Sequence, residues 1–257
     1  MKIDDLLTEA KSEPILDTEE KVDAWLKKRG KRIGGSWTID KDLRVSVDGD
    51  VDLTKTSFAK LPVKFKKVSG KLVVSNSGLE TLEGCPEEVG KWFNCSYTKI
   101  TSLEGGPKKI NTSGQEHSST YYANNNLSLK SLKGIAENAE ELNVGFCSAL
   151  EELDYLPKKV RRITACATGI KTLLGINKRA PELEGLQINA SPVEEGILSL
   201  MKIPSFRIQS LIYKTGNEDT TLTRSGKILD QVDSQGGDIF DAQSELIDAG
   251  LEKAAKF

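Results

Sequence analysis

The chain holds one histidine, His117, four cysteines, Cys85, Cys95, Cys147 and Cys166, and one dense run of acids, Asp48, Asp50 and Asp52. Imidazole titrates near neutral pH, so a histidine beside a nucleophile or a second histidine would suggest acid–base or metal chemistry. His117 has no second histidine to join it and stands in a polar stretch, NTSGQEHSST (111–120), that reads as solvated loop. A reactive thiol needs a nearby base or cation. No cysteine lies in a C-x-x-C pair and none has a base identifiable at sequence level, so all four read as small apolar packing residues. The three aspartates alternate and share a strand face, a density of oxygens that suits calcium. The glycine and glutamate of an EF-hand loop are missing from their offsets, however, and Asp48-Gly49 reads better as a hairpin turn. No phosphate-binding glycine pattern occurs. The expectation is a non-enzymatic protein with no catalytic residue, cofactor, metal or small-molecule substrate.

Composition narrows the partners. With 37 % hydrophobic and 29 % charged residues, the chain reads as a folded protein. A net charge of −2 exerts no global pull on nucleic acid or anionic lipid. The doublets Glu87-Glu88, Lys108-Lys109, Glu140-Glu141 and Lys158-Lys159 alternate in sign, which predicts an ion-paired flank rather than a basic stripe. No apolar run approaches the roughly 18 residues of a membrane span. The opening MKIDDLLTEAKSE carries acids where an export signal needs an apolar core. With four cysteines and no disulfide framework, the expected location is the cytoplasm.

The strongest signal is repetition. LETLEGCPEEV (79–89) and ITSLEGGPKKI (100–110) are near-copies 21 positions apart. Apolar columns follow that spacing: Leu61, Leu82, Leu103, Leu132, Leu153, Leu173; then Phe58, Leu79, Ile100, Leu129, Leu150, Ile170; then Val68, Val89, Ile110, Ala139, Val160, Ala180. Strand pairs Val51/Leu53, Leu72/Val74, Phe93/Cys95 and Ile163/Ala165 precede them. A single unit buries about five side chains at roughly 1.5–3 kcal/mol each. Ordering its backbone costs on the order of 20–40 kcal/mol. One unit alone therefore cannot fold, and units must stack.

The pattern L-x-L-x-x-T/S-x-L-x-x-L over residues 51–196 resembles the leucine-rich repeat, with six units and a weaker seventh at Leu186, Ile188, Ser191 and Val193. The family's buried asparagine is replaced by Thr56, Ser77, Thr98, Ser148, Thr168 and Ser191, with Leu127 where a hydroxyl is expected. The wording SLEGxP, then Val or Ile, then FxCS resembles repeats of uncharacterised phage proteins. The resemblance implies an α/β solenoid, a short right-handed array with a parallel concave sheet. It further implies a protein partner of host or viral origin met in the cytoplasm of an infected bacterium, or a virion component docked onto a larger assembly.

Three regions are expected: an N-terminal helix-and-hairpin cap (1–50), the repeats (51–196) and a C-terminal cap (197–257). Residues 17–30 read as a helix capped by Asp17, with Val22, Trp25 and Leu26 on one face. Leu43, Val45 and Val47 lead through Asp48-Gly49 to Val51 and Leu53 as a hairpin. Residues 238–257 read as a terminal helix capped by Asp238, with Phe240, Ile247, Leu251 and Ala254 inward, and 197–237 as less regular. The 29-residue gap from Leu103 to Leu132 places an inserted loop at 111–120, and Leu142 and Val144, one place early, suggest a strand bulge.

Strand positions between the inward residues should face outward on the concave sheet. For successive turns these are Asp52, Thr54, Lys55; Val73, Ser75, Asn76; Asn94, Ser96, Tyr97; Ala123, Asn125, Asn126; Val144, Phe146, Cys147; Thr164, Cys166, Ala167; and Gln187, Asn189, Ala190. This face is neutral and amide-rich. Its expected partner-binding residues are Asn94, Ser96, Tyr97, Asn125, Asn126 and Phe146, with the two aromatics as anchors. A protein partner is expected, and neither nucleic acid nor membrane.

Overall fold

The structure is a computed structural model that describes residues 15–111, 119–213 and 219–257. Helix α1 (Glu19–Lys28) opens it. Its N-cap is Thr18, whose hydroxyl accepts from the Lys21 amide, while Asp17 instead pairs with Lys21 Nζ at 2.6 Å. Val22, Trp25 and Leu26 are buried as the periodicity requires.

Strands β1 (Ser36–Ile39) and β2 (Arg44–Asp48) form the hairpin, antiparallel around Asp40–Leu43. This corrects the hairpin expected at Asp48-Gly49. There the chain turns a corner instead, so that β2 and the next strand, β3 (Val51–Asp52), lie in different sheets. The corner is tight: a Cβ on Gly49 would stand 2.1 Å from the Gly34 carbonyl oxygen.

From β3 onward the chain winds as a solenoid. Strands β4 (Lys64–Val68), β5 (Leu72–Val73), β6 (Glu88–Val89), β7 (Phe93–Asn94), β8 (Thr120–Tyr122), β9 (Glu141–Asn143), β10 (Arg162–Thr164), α2 (Ile176–Arg179), β11 (Gly185–Gln187) and β12 (Leu211–Ile212) follow in order. Eight of the strands stack as one sheet in the order β12-β11-β10-β9-β8-β7-β5-β3, every pairing parallel. A second sheet, β1-β2-β4-β6, covers the return side of the first turns. In register, Val51, Leu72, Phe93, Tyr121, Leu142, Ile163, Leu186 and Leu211 form one row, so the seventh unit is regular and an eighth turn follows it. All eight are buried, as are Leu61, Leu82, Leu103, Leu132, Leu153 and Leu173.

The register relocates the irregularity. Leu142 pairs with both Tyr121 and Ile163 in unbroken parallel ladders, so no bulge exists in that strand. The extra residue comes after the strand, in turns four and five alone. Leu53 to Phe58 and Cys95 to Ile100 span five steps, but Ala123 to Leu129 and Val144 to Leu150 span six. The surplus is closed by bonds from the Leu129 amide to the Asn126 carbonyl and from the Leu150 amide to the Cys147 carbonyl, each 3.0 Å. Counting back from the leucines therefore misplaces these two strands by one residue. The longer insertion ends before Thr120, which opens β8; its residues 112–118, with His117, lie outside the described residues.

Helix α3 (Thr221–Ser234) was not legible as a helix. Its centre holds Gly226, where a Cβ would meet the Tyr213 ring at 2.5 Å, so close packing and not helix propensity decides that residue. Helix α4 (Ile239–Asp248) has the expected Asp238 cap, completed by Asp241 as a capping box, but ends earlier than expected. Its buried side chains are Ala242 and Leu246, whereas Phe240 and Ile247, expected inward, are exposed. Leu251 and Ala254 are buried beyond it, and one apolar core runs from Val22 to Ala255.

Candidate functional site

Seven turns leave the eight-stranded sheet through a left-handed residue. Lys55, Asn76, Tyr97, Asn125, Phe146, Ala167 and Ala190 stand four places after the register row and have φ between 50° and 62°. The bend serves two sets of bonds. The amides of Tyr97, Asn125, Phe146 and Ala167 donate to carbonyls of the following turn, at 2.7–3.1 Å. The next residue then points inward, where Thr56, Ser77, Thr98, Asn126, Cys147, Thr168 and Ser191 bond buried carbonyls. L-residues pay about 1–2 kcal/mol in this conformation, and bulky ones are uncommon there. Two of the seven are nevertheless aromatic and open to solvent: Tyr97 is 57 % exposed and Phe146 53 %.

The one-residue surplus of turn four extrudes a third apolar side chain. Leu127, two places after Asn125, is 66 % exposed. Tyr97, Leu127 and Phe146 thus each stand exposed on the rim of one of turns three to five.

The remaining expected residues divide. Asn94 and Asn125 are half-buried. Asn94 Oδ1 accepts from the Ser96 amide at 2.9 Å. Ser96 and Asn126 were expected outward and are buried instead. Ser96 donates to Asn124 Oδ1 at 2.6 Å. Asn126 fills the position read as Leu127: its amide donates to the carbonyls of Cys95 and Ala123, and its oxygen accepts from the Thr98 amide and hydroxyl. Likewise Cys147, not Ser148, takes the inward place in turn five, and Val144, expected outward, is buried. Ala123, also expected outward, is buried too, and these corrections for turns four and five all follow from the one-residue surplus.

On the open face of the sheet two aromatics went unread. Trp92 and Tyr122 meet edge to face at 5.9 Å, with Lys71 Nζ 5.3 Å from the indole centroid. Trp92 lies one place before Phe93, so strand alternation carried on backwards would have found it. Tyr122 was hidden by the same register slip.

Burial pushes the Cys95 thiol well up and the Cys147 thiol up to about 11, which keeps both protonated near neutrality. Asp48 accepts from Ser69, Asp50 from the Lys71 amide, and Asp52 from Thr54, so the acid run secures its own turns. Among the described residues no group of three or more His, Cys, Asp or Glu is placed to hold a metal ion, and no helix is long and apolar enough to cross a membrane. No protein-family model matches this chain, and no curated protein matches it.

Proposed function

We propose that this chain is a leucine-rich-repeat type solenoid, closed by an N-terminal helix and hairpin and by C-terminal helices, that works as a non-enzymatic protein-binding module. One observation carries the reading: Tyr97, Leu127 and Phe146 are each exposed on three consecutive turns, two of them in a backbone conformation that penalises bulky side chains. Backbone strain of this kind clusters at functional surfaces, and exposed aromatics on adjoining turns suit a contact surface. The buried side-chain ladder and the 21-residue wording support the repeat family, whose asparagine position Asn126 fills. The wording SLEGxP supports phage origin, and with it a host or viral partner in the bacterial cytoplasm. A second reading, a component docked onto a larger assembly such as a virion, is favoured by the outer side of α4. There Phe240 is 69 % and Ile247 47 % exposed among acidic residues.

Affinity capture from infected cells tests the first reading. A partner held by the parent chain should be lost with Tyr97→Asn and with Phe146→Asn, since asparagine tolerates the left-handed backbone and keeps the fold. Capture unchanged by both variants removes the rim from the function. Finding the chain in purified particles would favour the second reading.

A further inference from the structure

The left-handed column alternates in size. From turn two to turn six it reads Asn76, Tyr97, Asn125, Phe146, Ala167: small, aromatic, small, aromatic, small. Parallel strands stack about 4.8 Å apart, so the two aromatic ridges lie about 9.6 Å apart, with slots of the same period at Asn76, Asn125 and Ala167. The column carries no charge from Asn76 to Ala190. The side-chain amide of Asn125, in the middle slot, has no hydrogen-bond partner among the described residues. Leu127 stands beside that slot in sequence and is the most exposed of the three apolar residues.

The geometry points to a proline-rich segment in the polyproline II conformation as the occupant, lying along the solenoid axis across turns two to six. This rests on the reading of the rim as a partner-binding surface and adds the class of partner. A polyproline II helix rises about 3.1 Å per residue with three residues per turn, so one of its faces repeats every about 9.3 Å. Over the two periods from Asn76 to Ala167 it drifts from the ridges by only about 0.6 Å. An α-helix, with about 10.8 Å per two turns, drifts by about 2.4 Å. An extended strand, whose face repeats at about 6.7 Å, falls out of phase at once. Prolines at every third position would enter the slots, the middle one walled by Tyr97 and Phe146 and each outer one by a single aromatic, in the mode by which aromatic grooves read such segments. The segment's backbone carbonyls, which have no internal partners, would meet the Asn125 amide. Charge agrees, since a neutral column suits a neutral segment. Area agrees as well: the three apolar side chains offer on the order of 300 Å2, well below the roughly 800 Å2 per side of a stable interface between folded proteins. A short peptide fits that apolar footprint.

The test is calorimetric titration of the whole chain with a nine-residue polyproline peptide, against equally long glycine–serine and valine–threonine peptides. Saturable binding of the polyproline peptide alone is expected. Tyr97→Asn and Phe146→Asn should each weaken it at least tenfold, with circular dichroism unchanged. Tyr155→Asn should leave it intact, because Tyr155 is equally left-handed (φ 58°) and exposed but stands off the column. Equal binding of the three peptides, or binding indifferent to both rim variants, overturns the proposal. If polyproline does not bind while the rim variants still abolish partner capture, the occupant is wrong and the rim survives. If capture is also indifferent, both readings fall.

Discussion

Asn126 makes four hydrogen bonds, more than any hydroxyl at its position in the other turns, and it makes them across two turns. Its removal leaves the Thr98 amide buried without a partner, at about 1–3 kcal/mol, and takes the stronger donor from the Cys95 and Ala123 carbonyls, which keep only the Thr98 hydroxyl and the Cys147 thiol. Asn126→Ala should therefore lower unfolding stability by about 3 kcal/mol, read from chemical denaturation. Asn126→Ser should recover part of this, because Ser191 and Thr168 do similar work with hydroxyls. A loss under about 1 kcal/mol from the alanine variant would show that the side-chain ladder does not hold the turns together. The ladder was legible in the sequence wherever the turn has its ordinary length: Thr56, Ser77, Thr98, Thr168 and Ser191 were all placed. It was misread at Asn126 and Cys147, because a surplus residue after the strand leaves no local mark and shifts every position counted from the leucines. The same slip hid Tyr122 from the site and sent the buried Asn126 into it. Tyr97 lies in a turn of ordinary length, and Phe146 and Asn125 escaped because their outward positions exist in either register.

At the scale of elements, the β1–β2 hairpin depends on one carboxylate. Asp40 accepts from the Arg44 and Asp42 amides and from Arg44 Nε, and its pKa falls to about 2, with the Arg44 amide bond the largest cause. A depressed folded-state pKa stabilises fully above the ordinary carboxylate value of 3.8 and is lost as pH falls toward 2. Acid titration of the thermal midpoint should thus show a component between about pH 4 and pH 2 that Asp40→Asn removes; an identical acid profile in the variant would refute the assignment. This hairpin was the element the sequence concealed. Alternation in Leu43–Val47 and again in Val51–Leu53 is real, but alternation does not say whether consecutive strands pair. Here Gly34, Gly35 and Gly49 approach so closely that the chain crosses to another sheet instead. Helix α3 was concealed by Gly226 and helix α4 was misfaced, because its apolar residues Phe240 and Ile247 serve an open side. By contrast α1 and the row of inward leucines were read in place, since strong periodicity was all they needed.

For the whole molecule, the stack behaves as a row of units that meet only their neighbours. Removing one whole unit should then leave a foldable chain. Residues 142–162 are such a unit: they begin at the register row and end one residue before it recurs at Ile163, so Tyr121 can pair directly with Ile163 in their absence. The surface charges would not match as well as the core. Successive turns enter the sheet with alternating signs: Glu141 pairs with Arg162, and Arg161 with Glu184. Along the return side a separate series runs Lys67–Glu88 and Glu87–Lys108, so the doublets form two ladders where the sequence suggested one. Deleting 142–162 takes out both arginines and sets Glu140 and Glu141 against Glu184. The shortened chain should consequently melt cooperatively but at a lower temperature, and its midpoint should rise with added salt as the repulsion is screened. Glu184→Arg in the shortened chain should restore the midpoint and abolish that rise. A shortened chain that fails to fold at every salt concentration would mean that the turns are not interchangeable neighbours, and that the extra residues of turns four and five, which bring the rim together, are built into the core rather than laid over it.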